Sequence, residues 1–402
     1  MAKKLGSVIG VDIGSQQIKV AEIKMQGKQP AITALGVAPT PVGAVDHTGI
    51  FNADAVGQAI KQAIKNAGAS LPQIVVSLVG QSSVLVRTLE VPANTEEELR
   101  EQMQWEINRN IPFTESNIVS DYRPIPNGAH NGNMTVVMAI APQSAVDTML
   151  ACAKKAGKSI GAIDVEPLGI ARALKANYGD QFAGKTVCVV EIGHKTSSIN
   201  IYKDDYLMMP RQVLLGGELF TQEIAREYGT DEIQAEEIKK SKVDLAGFSA
   251  APAPAFGMAD TTQFTAYNPF ADDAAPAADV FGAAAGDEAE PAPAPVVDDS
   301  DRGRTYRAMQ NLLEEIVSEV RRSIDYYRSR GDEVDQILLC GGGANLKGLA
   351  SYMGESLGMP CDTFDAARRL NVSAKRLPAG FMDEHRAQFA VAIGNGLHAL
   401  ID

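Results

Sequence analysis

Two short stretches of this chain combine residue types that could grip a polyphosphate. The first, Val11-Asp12-Ile13-Gly14-Ser15 with Lys19 behind it, ends an apolar run in an acid, a glycine and a hydroxyl. Glycine lets backbone N–H groups approach phosphate oxygens without a Cβ clash. Ser15 can add a hydroxyl donor, and Asp12 can hold hydrated Mg²⁺, a cation that keeps most of its waters. By itself this pattern is shared with many hairpin turns. The second stretch, Val190-Glu191-Ile192-Gly193-His194 with Lys195 and Thr196, repeats the design 179 positions later. Two matching jaws on two lobes would clamp a nucleotide between them; two unrelated β-turns are the competing reading. Glu191 is the candidate for positioning a water or metal. No secure general base can be named, so weak or absent turnover is expected.

Two further patterns could complete such a site. Gly341-Gly342-Gly343-Ala344-Asn345 follows an apolar strand, where a glycine loop serves phosphate binding or flat packing against a base. It lacks GxGxxG spacing, and no Lys-Ser/Thr follows, so Rossmann and P-loop readings are poor. Glu236 and Lys239 share a helix face and could hydrogen-bond a ribose, although such pairs are usually solvated. The five histidines, at positions 47, 130, 194, 385 and 398, and the four scattered cysteines show no metal-ligand spacing. A net charge of −13 argues against nucleic-acid and anionic-lipid partners. No apolar run nears the roughly 20 residues that span a bilayer, and glycines, Ser7 and Asp12 interrupt the N-terminal apolar stretch. An intracellular, soluble protein is expected.

The elements that must carry these residues follow from periodicity. Residues 7–24 read as strand, tight loop and strand; 52–67 as an amphipathic helix; 73–80 as a strand. Residues 94–110 form a helix with Thr95 and Glu98 at capping-box spacing. A strand at 134–141 and a helix at 142–156 precede the strand at 185–193 that reopens the N-terminal pattern. Helix 301–330 carries a continuous apolar stripe, and strand 336–340 runs into the glycine loop. Matching hairpins in both halves imply an internal duplication into two α/β lobes. Residues 246–300, with 18 Ala, 7 Pro, 9 acidic residues and no Lys or Arg, read as a disordered acidic loop. Five of its aromatics, Phe256, Phe264, Tyr267, Phe270 and Phe281, are either a spacer's scatter or a docking motif.

In order, VDIGSQQIKV, VVMAIA, VVEIGHKTSSINI, ILLCGGGANLKGL and AVAIGNGLHAL resemble the phosphate-1, connect-1, phosphate-2, adenosine and connect-2 motifs of the actin, Hsp70 and sugar-kinase superfamily. Within it, residues 105–125, 160–174, 211–225 and 235–242 resemble the PilM family of type IV pilus assembly. The resemblance implies an α/β, actin-like, two-lobed fold of duplicated RNase H-like domains. It implies bounds of 1–81 for the first lobe, 82–160 for an inserted 1C subdomain and 161–402 for the remainder. It implies ATP with Mg²⁺ in the interlobe cleft, held by Asp12, Gly14, Ser15, Lys19, Gly193, His194, Lys195, Thr196, Glu236, Lys239, Gly342, Gly343 and Asn345. Glu191 stands where Asp is usual and His194 where a small residue is common. It also implies a groove beside 1C for the cytoplasmic tail of PilN, linking the alignment complex at the inner membrane to motor ATPases and platform protein. Trp105, Ile107, Ile111 and Phe113 could line that groove, or form the small core of 1C. An FtsA-like division protein and a small-molecule kinase are the alternatives. The absence of a basic amphipathic C-terminal helix speaks against the first, and assay on sugars would expose the second.

Overall fold

The computed structural model describes residues 7–92, 95–115, 117–126, 132–250 and 300–401. The chain begins with β1 (Val8–Ile13), β2 (Gln17–Gln26) and β3 (Gln29–Pro39), then α1 (Ala53–Ala67) and β4 (Gln73–Leu78). Next come β5 (Leu85–Pro92), α2 (Glu96–Arg109), β6 (Ile118–Pro124) and β7 (Asn133–Pro142). After α3 (Gln143–Ala156), β8 (Ser159–Val165) and α4 (Glu166–Tyr178) lead onward. The second half opens with β9 (Thr186–Ile192), β10 (Ser197–Lys203) and β11 (Tyr206–Val213), then α5 (Gly217–Tyr228) and α6 (Glu232–Lys242). It continues through α7 (Asp301–Arg328), β12 (Gln336–Cys340), α8 (Leu349–Leu357), β13 (Cys361–Thr363) and β14 (Asn371–Val372), and ends with α9 (Phe381–His385) and α10 (Ala390–Ile401).

Two sheets share one strand order. The first runs β3-β2-β1-β4-β8, with β14 added at its edge; the second runs β11-β10-β9-β12-β13. In each, an antiparallel meander precedes strands that add in parallel on the side of its first strand. The repeated order is the duplication that the hairpins implied. β1 and β9 are buried along almost their whole length, as central strands covered by helices on both faces must be. Helix α1 illustrates the local code: Asn52 accepts from Ala55 N–H, and Gly68 closes the other end in the left-handed region.

The inserted unit is a three-stranded antiparallel sheet, β5-β7-β6, with α2 over one face. Thr95 and Glu98 form the capping box expected at the start of α2. The stretch VVMAIA lies in β7, the middle strand of this sheet, which corrects its expected place as a connecting strand between the lobes. That connection is made by β8, which pairs in parallel with β4, and by α4 directly behind it. The expected bounds 82–160 also take in α3, which packs on α1, and the first two residues of β8, which extends the first sheet.

Each lobe has its own apolar core, and a third core lies where α4 and α10 join them. At that junction backbones touch. A Cβ on Gly394 would lie 1.8 Å from the Gly169 carbonyl oxygen, and one on Gly10 would lie 1.9 Å from that of Ala392. The start of the segment 246–300 expected to be disordered is instead packed: Phe248 stacks on Tyr306 with centroids 4.0 Å apart, and Ala250 N–H donates to Ser356 Oγ at 2.8 Å. The chain is therefore held against α7 and α8 as far as Ala250. The rest of the loop up to residue 299, with its five aromatics, lies outside the described residues.

Because the Gly394 contact is backbone on backbone, Gly394→Ala is expected to cost about 3 kcal/mol, the upper range for overpacking. Gly157→Ala, at a helix end with φ +72° and open space around it, is expected to cost about 1 kcal/mol. Urea denaturation of both variants checks the difference.

Candidate functional site

The two hairpins face each other across one cleft of about 760 Å³, and every residue expected to hold a nucleotide lines it. Their turns are closed alike. Gly14 N–H donates to Gln17 O at 3.0 Å, and Gly193 N–H donates to Thr196 O at 2.9 Å. A Cβ would meet those acceptor oxygens at 2.8 Å and 2.7 Å, so both turns demand glycine. Ser15 and Gln16 of one tip, and His194 and Lys195 of the other, form opposing walls.

Charge converges between the jaws. Asp12 and Lys19 are cross-strand partners, and their side chains meet at 2.8 Å while largely shielded from solvent. Burial opposes the Lys19 charge, yet Asp12, Glu191 and Glu166 together hold its ammonium above the ordinary lysine range. Glu191 goes the other way. Burial, then the neighbouring Glu166 and Asp12 carboxylates, push its carboxyl well above the ordinary value, with Lys19 opposing. Its Oε2 is buried with no hydrogen-bond partner among the described residues. Glu166, the first residue of α4, accepts from Ser198 Oγ at 3.0 Å and lines the same cleft.

The remaining candidates occupy the second lobe's wall. Lys195 Nζ meets Glu218 Oε1 at 3.0 Å, with His194 Nε2 at 3.6 Å from the same atom. Burial lowers the His194 pKa, favouring its neutral form. Glu236 and Lys239 are more than a solvated pair. Lys239 Nζ lies 2.6 Å from Glu236 Oε2 and donates to Gly217 O at 2.9 Å and Thr221 Oγ1 at 2.7 Å, tying α6 to α5. In the glycine loop, roles divide. Cβ atoms on Gly341 and Gly343 would strike Ile192 at 2.5 Å and 2.2 Å, so packing alone explains both. Gly342 has nothing within 4 Å of its Cβ position and an ordinary helical φ of −64°; its open side belongs to the cleft wall. Asn345 Nδ2 donates to Glu384 O at 2.9 Å, holding the α9 segment against the loop.

The family model described as Type IV pilus assembly protein PilM matches residues 10–246 and 299–400. The chain belongs to the PilM family. Among solved structures it is similar to the PilM-PilN type IV pilus biogenesis complex, at 25% identity over 99% of each chain with a TM-score of 0.75. It is also similar in fold to the ethanolamine utilization protein EutJ from Carboxydothermus hydrogenoformans, at 14% identity, 98% and 91% coverage and a TM-score of 0.52. The architecture is the two-lobed, actin-like fold of the PilM family.

The four residues expected at a partner groove separate. Ile107 is buried in the small core of the inserted unit with Leu99 and Met103, and Phe113 packs against that core. Ile107 also reaches a shallow groove of about 390 Å³ between α2 and β6, bounded by Arg100, Gln104 and Tyr122. Trp105 points elsewhere, 58% exposed, with the Arg109 guanidinium 5.2 Å from its ring centroid. Two helical positions turn a side chain by about 200°, so Trp105 and Ile107 cannot share one wall of α2. Ile111 is half-buried in the turn beyond α2. No helix among the described residues is long and apolar enough to cross a membrane. Nor does any group of three His, Cys, Asp or Glu side chains among them form a metal cluster.

Among the cleft residues that sequence reasoning missed, Glu166 stands nearest the charged centre, beside Glu191. Its signal was an acid before Pro167 at the start of a helix, which reads equally as an ordinary helix-dipole partner.

The Glu191 environment sets a pH dependence. The folded protein keeps this proton to higher pH than the unfolded chain, whose carboxyl titrates near 4.5, so stability falls as pH rises above that value. Glu191→Gln removes the penalty. Its melting temperature is expected to match the parent near pH 4.5 and to exceed it by about 2 °C or more at pH 8, measured by thermal melts across that range.

Proposed function

We propose that the interlobe cleft binds ATP with Mg²⁺, and that the protein is a nucleotide-dependent scaffold of type IV pilus assembly. The observation that carries this is the pair of equivalent glycine turns meeting across one cleft, with the Asp12–Lys19 pair and the buried Glu191 carboxyl set between them. The residues present fit the group. The turns give backbone donors close access, Ser15 adds a hydroxyl, and Gly342 leaves a flat, open wall where a base would pack. Asp12 would hold Mg²⁺ through water, and Glu236 and Lys239 would reach the ribose.

Mg²⁺ would supply charge neutralisation, and this cleft needs it. Its lysines at 19, 195, 239, 240 and 347 are set among acidic residues at 12, 46, 166, 191, 236, 383 and 384. A bare triphosphate would find lysines already opposed by acidic groups, Lys19 by Asp12 and Lys239 by Glu236. Burial and the neighbouring Glu166 raise the Glu191 carboxyl above its ordinary range, so it makes no secure general base, and weak or absent hydrolysis is expected.

The partner we propose is the cytoplasmic N-terminal tail of PilN, bound beside the inserted unit. The likeness to a PilM chain solved with PilN over nearly its whole length supports this reading. The protein would then sit at the inner face of the inner membrane through that contact, and join it to the motor ATPases and platform protein.

Asp12→Ala is expected to abolish the rise in melting temperature given by Mg-ATP; an unchanged rise removes Asp12 from the site. Gly342→Leu should leave the ligand-free melting temperature within about 2 °C and weaken Mg-ATP binding at least tenfold, about 1.4 kcal/mol, by calorimetry. For the partner, a peptide of the PilN tail titrated against the full chain should saturate at one site; no saturable binding counts against the pilus role.

A further inference from the structure

Asn395 is fully buried in α10, in an otherwise apolar stretch running from Ala390 to Leu397 with glycines on either side of it. A buried amide is retained at a cost unless its bonds are made. Here Nδ2 donates to Val11 O at 2.9 Å and to Ser77 Oγ at 2.9 Å, and Ser77 Oγ lies 3.2 Å from Oδ1. Those partners belong to different strands, and their position in the sheet is informative.

The parallel pairing of β1 with β4 stops at Val11 and Val76. Both strands continue, β1 to Ile13 and β4 to Leu78, but β4 stays with β8 through Ser77 and Leu78 while β1 leaves it. The fork opens immediately before Asp12. The second lobe has no such fork, since β9 and β12 remain paired up to Glu191 itself. Asn395 occupies the fork of the first lobe only. It bonds the last paired carbonyl of β1 and the first diverging side chain of β4. Its Oδ1 also lies 2.9 Å from where a Cβ on Gly169 would sit, so α4, which starts at Glu166, packs directly against the amide.

We propose that Asn395 is a positioning residue: its side-chain amide stands in for the missing rung between β1 and β4 and fixes where Asp12 enters the cleft relative to Glu166. Ser77, itself in the cleft wall, is its partner in this role. The consequence for ligand binding rests on the reading of the cleft as a nucleotide site; the consequence for the hairpin does not.

The test uses hydrogen–deuterium exchange on the full chain without nucleotide, comparing Asn395→Leu and Ser77→Ala with the parent. The hairpin at 12–17 is the reporter and its counterpart at 191–196 the internal control. Asn395→Leu is expected to speed exchange at 12–17 at least tenfold and leave 191–196 within twofold. Ser77→Ala, which keeps the Val11 bond, should give about threefold at 12–17 alone. Equal acceleration of both hairpins means general loosening and overturns the proposal, as does no change at 12–17. If Asn395→Leu fails to fold, Ser77→Ala decides by the same criteria. In a second arm, Asn395→Leu should weaken Mg-ATP at least tenfold and ATP in EDTA less than threefold, because Asp12 acts through the metal; equal losses overturn the link to Asp12. A parent that binds neither defeats the nucleotide reading and leaves the exchange result to judge Asn395.

Discussion

The arrangement depends on two helices being able to cross with their backbones in contact. Gly169 of α4 meets Gly394 of α10, and Gly10 of β1 meets the backbone around Ala392 and Gly396. Side chains at these points would collide with backbone that cannot give way, and the crossing that holds the hairpins over one hollow could not close as it does. The core around this crossing draws residues from both halves, among them Ile23 and Leu35 from the first and Val189, Tyr202 and Leu338 from the second. One apolar cluster thus fixes the relation of two otherwise separate sheets. A close-packed crossing tolerates rotation better than separation, because separation exposes that whole cluster to water.

Within the cleft, electrostatic frustration is concentrated rather than dispersed. Most ion pairs elsewhere, such as Arg226–Glu223 and Lys155–Asp54, lie at the surface and contribute little. Around the hairpins, by contrast, Asp12, Glu166 and Glu191 all act on the ammonium of Lys19, and one carboxyl oxygen of Glu191 has no partner among the described residues. A fold selected only for stability would remove such a group, since a buried polar atom without a partner costs about 1–3 kcal/mol. Its retention beside the two glycine turns is what a cleft built for the proposed nucleotide, and not for stability alone, would show.

What the sequence disclosed follows the range over which its code operates. Both hairpins were legible because acid, glycine and alternating strands encode them within a dozen residues, and their repetition at constant spacing announced the duplication. The capping box at Thr95 and the helix end at Gly68 were legible for the same reason. Contacts made across the sheet were not. VVMAIA has the composition of any buried strand, and only pairing with β5 and β6 assigns it to the inserted unit. Glu166 looked like a helix-start acid until α4 carried it beside Glu191. Glu236 and Lys239 showed the right spacing, yet that they bind α5 through Gly217 and Thr221 depends on tertiary packing. Trp105 and Ile107 were grouped by proximity in sequence, which a helix overrides through its 100° turn per residue.

The inserted unit follows from the same logic of shared cores. It leaves the first lobe after β4 and returns at α3, yet its inner face does not stop at that lobe. Ile125 and Val137 are buried in the cluster that holds the two lobes together, with Val86 packed against it. Thr88 Oγ1 donates to Met208 O of β11 at 2.7 Å, and Arg330 at the end of α7 pairs with Glu90. An insertion attached to one lobe by its chain and to the other by packing has to shear when the lobes rotate. The contacts available to absorb that shear are of two kinds. The Thr88 bond and the exposed Arg330–Glu90 pair are individually weak, whereas burial of Ile125 and Val137 is not easily given up. Rotation of the lobes would therefore break the polar contacts first and carry the apolar ones along, so the inserted unit follows the cleft instead of floating free of it.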